Sequence, residues 1–297
     1  MSSDDRRLVA VVTGANRGIG KAIVRRLLRQ TSTALIVYLT ARSAQRGQAA
    51  FDEVRREQQR WLGSGRPAQF ESELRFHQLD VLDGGSLQTF VEYLTLMHGE
   101  LSVDILINNA GGVVTRDACV VRTCDAATAQ ATVQLNYFSA VNATAQLLPH
   151  MRAGGRVVFM VTALAHLGIF SGDLPRVLAG DDVSAEGLNI IENGFVSAVA
   201  KGTYAAYGFP PMPFAVAKAG LISYARMLAR ALAADPRGLL FAAVCPGYVR
   251  SGEAPPASAP LTPDEGAETP VYVALADAKR LRRHNGGLWK QLRPIKW

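Results

Sequence analysis

Thr13 to Gly20 read TGANRGIG, set between an apolar run, LVAVV, and a segment of helical period. Glycines at Gly14, Gly18 and Gly20 permit a tight turn and close backbone approach, and the following helix begins with unpaired N–H groups. A pyrophosphate seats on such a turn, which here also contains Asn16, Arg17 and Ile19. A lone glycine pattern carries little weight, and a simple glycine-rich turn is the competing explanation. Its place between a strand and an amphipathic helix is what gives it meaning. The second apolar run ends LTARS, so Ala41 and Arg42 stand where an acid gripping a ribose 2′-hydroxyl is expected. A guanidinium there suits a 2′-phosphate, which it binds through paired N–H···O bonds. Arg42, with Arg17 and Arg46 as further candidates, therefore favours NADP(H) over NAD(H), against the plainer reading of Arg42 as a solvated loop cation.

The elements that must position these groups follow from the hydrophobic period. Short runs rich in Val, Ile and Leu at about 8–13, 34–40, 74–80, 103–108, 156–162, 239–245 and 288–292 read as strands, with longer helical segments between them. Nearly continuous apolar strands are those of a parallel sheet covered on both faces. The expected fold is α/β: a doubly wound Rossmann fold with a mostly parallel seven-stranded sheet and helices on both faces. Between Gly18 and Gln30, Ile19, Ile23 and Leu27 share one helix face, while Arg25, Arg26 and Arg29 lie off it. No repeat or low-complexity linker divides the chain, so one dinucleotide-binding domain spanning 1–297 is expected. Two segments depart from regular alternation: the loop Gly63 to Glu73, and an insert at about 168–213 between the fifth strand and its helix. A connection that long carries function or its own helix, and Ala185 to Lys201 has the composition for one.

The 297 residues are 48% hydrophobic and 19% charged, which excludes a disordered chain. Basic and acidic residues balance from Met1 to Ala278, and the whole +7 lies beyond, on Lys279, Arg280, Arg282, Arg283, Lys290, Arg293 and Lys296. Such a tract reads as a solvated tail. With only Trp289 and Trp297 among the cations, it lacks the aromatic interleaving of a single-strand binder, and no nucleic-acid partner is expected. Cys119, Cys124 and Cys245 have neither the even count nor the spacing of a disulfide frame or zinc site, which points to a reducing compartment. Met1 to Arg7 is polar, and the longest apolar run, Val157 to Phe170, is broken by His166 and shorter than the about 20 residues that span a bilayer. A cytoplasmic protein without a membrane partner and without a metal is expected.

From these residues onward the chain resembles the short-chain dehydrogenase/reductase family along nearly its whole length. Asp80 in LDV, followed by Val81, is similar to the acid that hydrogen-bonds the adenine amino group in that family. Asn108 to Gly111, NNAG, which includes Ala110, resembles the motif that holds the central sheet together beside the adenosine. Asn136 in QLNYFSAVN is similar to the family's active-site Asn, which organises a proton-relay water. CPGYV, with Pro246, Gly247 and Val249, resembles the segment that packs on the nicotinamide face. ARSAQRGQAA, the long insert and TPDEGAETPVYVALA bring the likeness nearest to the carbonyl reductase branch. There the insert covers the surface that other members use to oligomerise, so the resemblance implies a monomer.

The resemblance also implies a chemistry and a break in it. In the family a Tyr donates the proton, with its pKa lowered by a Lys four residues later on the same helix face, and a Ser hydroxyl holds the substrate oxygen. Lys also binds the nicotinamide ribose. GRVVFMVT puts Thr162 at the Ser position, and FAVAKAG puts Phe214 at the Tyr position and Lys218 at the Lys position. Lys218 is one of six lysines in a chain with 32 Lys plus Arg, so its presence there is informative. Phe214 donates no proton, and losing a general acid removes about 10²- to 10⁴-fold in rate. Three accounts follow. The acceptor needs no proton, as with an iminium carbon. Another group donates, with Tyr204, Tyr207, His166 and Asp173 as candidates on or near the insert. Or redox turnover is gone, leaving a non-redox catalyst such as a cyclase, an isomerase or a Diels-Alderase-like enzyme, or a protein that uses the dinucleotide structurally. Some family members lacking the Tyr combine iminium reduction with cyclisation in alkaloid biosynthesis. Phe170, Phe195, Tyr204, Tyr207, Phe209 and Met212 make the insert apolar and aromatic, which favours a bulky hydrophobic substrate, unless they simply pack the insert onto the domain.

Overall fold

The computed structural model describes residues 7–30, 32–64, 71–113, 125–251 and 258–297. Alternate residues of β1 (Leu8–Val12) enter two different apolar clusters, Val9 and Val11 on one side and Ala10 and Val12 on the other. Successive side chains of a strand point to opposite faces, so the continuous run LVAVV means a strand covered on both. β2 (Leu35–Ala41), β4 (Val103–Asn108) and β6 (Leu240–Cys245) are buried in the same manner, with β3 (Glu73–Gln78) and β5 (Met151–Met160) beside them. The order in the sheet is β3-β2-β1-β4-β5-β6-β7-β8, with β7 at Leu288–Lys290 and β8 at Arg293–Ile295. All pairs are parallel except β7 with β8. Chain order reverses between β1 and β4, and the crevice outside their carboxyl ends is where such sheets take ligands.

One cluster is covered by α1 (Gly18–Leu28), α2 (Ala44–Leu62), α10 (Glu268–Leu275) and α11 (Ala278–Arg282). The other is covered by α3 (Gly84–His98), α4 (Ala126–Val133), α5 (Ser139–Leu147), α6 (Leu174–Ala179), α7 (Ala185–Ala200) and α8 (Pro213–Ala231). A short α9 (Pro263–Gly266) precedes α10 and opens on a capping box between Thr262 and Glu265. The doubly wound Rossmann fold is therefore as expected, with eight strands in place of seven. The additional strand hides from a hydrophobic pattern because β8 reads Arg-Pro-Ile and all three residues are exposed.

Two further expectations are corrected or refined. The basic tract is no solvated tail: it folds into α11 and the β7–β8 pair, Trp289 is fully buried, and Arg280 lies 5.2 Å from the centre of the Tyr272 ring. Its cations sit on the outward side of elements whose apolar residues complete the second cluster. The insert carries α6 and α7, the latter close to the expected 185–201. Residues 65–70 of the loop between α2 and β3, and Cys119 and Cys124, lie outside the described residues.

Candidate active site

The segment Thr13–Arg17 crosses the carboxyl end of β1. A Cβ added to Gly14, at φ 62°, would stand 2.8 Å from the Ala110 Cα, and one added to Gly20 would stand 2.4 Å from Asn109 Nδ2. The glycines are thus fixed by the NNAG segment after β4. Thr13 Oγ1 accepts from the N–H groups of Asn109 and Ala110 at 3.0 and 2.9 Å. Asn109 Nδ2 donates to the carbonyls of Thr13 and Gly14 at 2.9 and 3.1 Å. Thr13 and Asn109 were missed by sequence reasoning, although both sit inside the quoted motifs. Asn108 turns the other way, its Nδ2 donating to Thr144 Oγ1 on α5 at 2.9 Å. At the start of α1, Arg17 is extended with no side-chain cap, and no acid occupies the first turn. The positive end of the helix is left for an anion.

Asn16 and Ile19 are partly buried and Arg17 is exposed. Arg42 follows β2 at the same end of the sheet with its side chain exposed, while its carbonyl accepts from Gln78 Nε2 at 3.0 Å. Arg46 lies one turn into α2, its N–H donating to Ser43 Oγ at 3.3 Å. Asp80 follows β3, with its Oδ1 accepting from the Leu82 N–H at 3.0 Å, and Val81 beside it is buried.

On the other side of the crevice, α4 and α5 are joined by one π-helical turn, Gln134–Phe138, with Asn136 at its middle. Single π turns recur at functional sites because they displace one residue from the regular ladder. Asn136 Nδ2 donates to the carbonyls of Gly112 and Thr132 at 2.8 and 3.0 Å, and its Oδ1 accepts from the Gly112 N–H at 2.9 Å. The Asn136 backbone carbonyl faces Lys218, whose Nζ donates to it at 3.5 Å. Gly111 completes the cluster, since a Cβ there would stand 2.8 Å from Asn136 Oδ1 and 3.2 Å from Lys218 Nζ. Burial without a carboxylate partner pushes the Lys218 ammonium down to about 7. One turn earlier on α8, the Phe214 ring centre lies 5.6 Å from Lys218 Nζ and gives the cation an aromatic face.

Thr162 follows β5 and opens a tight turn in which the Ala165 N–H donates to the Thr162 carbonyl at 3.2 Å and the Leu164 N–H to its Oγ1 at 3.2 Å. Cys245, at the end of β6, accepts the Ala163 N–H on its Sγ at 3.2 Å, tying that turn to the CPGYV segment. Pro246 and Gly247 are partly buried there, and Val249 is buried against Gly266, whose added Cβ would also meet Ile19 at 3.5 Å.

The family model of the short chain dehydrogenases matches residues 8–172. The chain belongs to that family. It is similar to carbonyl reductase (NADPH) 1 of Macaca fascicularis, with 36% identity over 275 residues, covering 90% of this chain and 90% of that one. Among solved structures it is similar in fold to salutaridine reductase from Papaver somniferum, with a TM-score of 0.76 at 22% identity, covering 96% of this chain and all of the other. It is similar also to menthone neomenthol reductase from Mentha piperita, with a TM-score of 0.75 at 23% identity, covering 95% and 98%.

In this short chain dehydrogenase the insert does not present the aromatic pocket expected of it. Phe170, Phe195 and Phe209 are buried in the apolar cluster, the last two with ring centres 5.3 Å apart, and Tyr204 packs against the same cluster. They hold the insert on the sheet, and Met212 stands at the N-cap position of α8 without a side-chain capping bond. Of the other proton donors considered, Tyr207 is 66% exposed, His166 is exposed, and Asp173 pairs with Arg176 on the surface at 3.4 Å. Among the described residues no three His, Cys, Asp or Glu side chains form a group that could hold a metal ion, and no helix is long and apolar enough to cross a membrane.

Proposed function

We propose that the chain is an NADP(H)-dependent reductase that works without a tyrosine proton donor. The observation that carries this reading is Lys218: a buried cation whose hydrogen bond among the described residues goes to the Asn136 carbonyl, beside Gly111, with the Phe214 ring where a phenol would otherwise stand. The residues fit the dinucleotide. Cβ atoms at Gly14 and Gly20 would fill the turn, the start of α1 is uncapped, and the Lys218 ammonium lacks an acid that the ribose hydroxyls and phosphates would replace. Gly14, Asn16, Arg17, Gly18, Ile19 and Gly20 would hold the pyrophosphate, Arg42 the 2′-phosphate, and Asp80 with Val81 the adenine. Asn108, Ala110 and Gly111 would flank the adenosine, Lys218 would take the nicotinamide ribose, and Pro246, Gly247 and Val249 would back the nicotinamide. The bound cofactor supplies the hydride.

Thr162 holds the acceptor beside that ring through its hydroxyl, and Asn136 fixes Lys218. Reducing a ketone also requires a proton on oxygen, which neither Phe214 nor an unactivated Thr162 hydroxyl delivers well. An iminium carbon already bears the charge a ketone gains on protonation, so this site suits a nitrogen-containing acceptor of the kind met in alkaloid-type metabolism. The same reading takes 1–297 as one domain of a cytoplasmic protein, with the 168–213 insert covering α4 and α8 and keeping the protein monomeric.

NADPH titration by calorimetry, followed by its oxidation with ketone and imine panels, tests the reading for wild type and Phe214→Tyr. Wild type is expected to bind NADPH and reduce imines, and Phe214→Tyr to gain ketone reduction by about 100-fold. Efficient ketone reduction by wild type removes the cationic-acceptor element. NADPH binding without oxidation by any acceptor moves the site to the non-redox alternative.

A further inference from the structure

The β7–β8 hairpin turns on Gln291 and Leu292, two non-glycine residues at φ 50° and 62°. Two-residue hairpin loops of this type require positive φ at both positions and are normally filled by Asn and Gly. Left-handed backbone at a bulky residue is unfavourable and persists only where the surroundings over-determine it. Here the Leu292 N–H is held by Thr269 Oγ1 at 3.3 Å, and β8 is paired along its length from Arg293 to Ile295. The return strand itself is exposed and buries little, so the strained turn gains little from the strand as such. What the return does achieve is to deliver Trp297 to the apolar cluster on the α8 side of the sheet, where the indole Nε1 donates to the Ala165 carbonyl at 2.6 Å across 132 residues of sequence. Ala165 is fully buried and closes the turn that starts at Thr162.

We propose that Trp297 is a positioning residue for Thr162: its indole holds the far end of the 162–165 turn, while Cys245 Sγ holds its middle through the Ala163 N–H. This rests on the reading above for the role of Thr162. The turn's own bonds, from the Ala165 N–H to the Thr162 carbonyl and from the Leu164 N–H to Thr162 Oγ1, couple its two ends, so releasing the Ala165 carbonyl loosens the frame that holds the hydroxyl. An N–H donor on a rigid ring suits the task. The bond is directional, and the ring's apolar body anchors in the cluster while its edge reaches the carbonyl.

Trp297→Phe keeps the apolar ring and removes only the N–H. Amide hydrogen exchange at Ala165 and His166 in the cofactor-free protein is expected to rise about fivefold, with exchange in β1 and β4 unchanged, as loss of one net hydrogen bond predicts. In turnover the variant is expected to lose about fivefold in kcat with an acceptor that wild type reduces, with KM for NADPH within twofold of wild type. Unchanged exchange overturns the proposal, as does raised exchange with unchanged kcat. A variant that loses NADPH affinity and thermal stability along with kcat overturns it too, because Trp297 would then be a general packing residue. Failure of wild type to oxidise NADPH with any acceptor overturns the hydride-transfer reading instead, and the exchange measurement still decides whether Trp297 holds the turn.

Discussion

The two sides of the crevice are built differently. Around the glycine turn, Thr13 and Asn109 make four hydrogen bonds of 2.9 to 3.1 Å, two with each other and one each with Ala110 and Gly14, and Gly14 and Gly20 leave no room for a single added carbon. Around α7 and α8, by contrast, two charge-bearing side chains are buried with little to hold them. Lys218 has one long contact to a carbonyl, and both carboxyl oxygens of Glu192 lie buried without a hydrogen-bond partner among the described residues. Glu192 faces Gly220 of α8 and the ring of Tyr137, where an added Cβ on Gly220 would meet its Oε1. Burial pushes the Glu192 carboxyl up to about 8 as it pushes Lys218 down to about 7. A fully satisfied network makes one rigid shape, whereas unsatisfied buried ionisable groups are kept at a cost in stability, and such groups concentrate where function is set.

That contrast can be broken from either side. The largest effect is expected at the rigid side: Gly20→Val forces a clash with Asn109 and the Gly14 carbonyl, and NADPH affinity measured by calorimetry should fall more than about 100-fold. Retained affinity would mean that the turn is not a close-fitting cradle. Next comes Arg42→Asp, which should lower the NADPH-over-NADH preference by about tenfold through loss of a bidentate phosphate partner. An unchanged ratio would return Arg42 to the role of a loop cation.

The smallest effect concerns the strained side and has a definite sign. The unfolded chain releases the Glu192 proton near 4.5 while the folded chain keeps it to about 8, so folding stability falls as pH rises between these values. Lys218 works oppositely. The folded chain has lost its proton by about 7 while the unfolded chain holds it to 10.5, so its contribution rises with pH across that span. Glu192→Gln should abolish the fall in Tm between pH 5 and 8 and raise Tm at pH 8 by about 5 °C, read by calorimetric scans. A fall that persists in the variant would place its origin elsewhere.

The regular part of the molecule was readable because its signals are local. Continuous apolar runs marked β1, β2, β4 and β6, and the spacing within TGANRGIG and NNAG carried the close contacts that Gly14 and Gly20 make with Ala110 and Asn109. The insert showed its helix but not the fate of its aromatics. Whether Phe195 and Phe209 line a pocket or pack on one another depends on which way α7 faces, and its polarity misleads, since Glu192 lies on the buried face while Ile190 is exposed. β8 left no signal because its pairing is made by backbone groups and its turn by left-handed residues of the wrong type.

By itself, then, the sequence determined the parallel α/β layering, the glycine turn, the cationic site after β2, and the spacing of Phe214 and Lys218 by one helical turn. Only the tertiary structure decided what surrounds them. It buried Lys218 against the Asn136 carbonyl, turned a supposed solvated tail into the outer strands of the sheet, and brought Trp297 to the turn that bears Thr162. The physical reason is range. Period and turn chemistry are set by neighbours a few residues apart, while burial, pKa and contacts across 132 residues exist only once distant segments share a core.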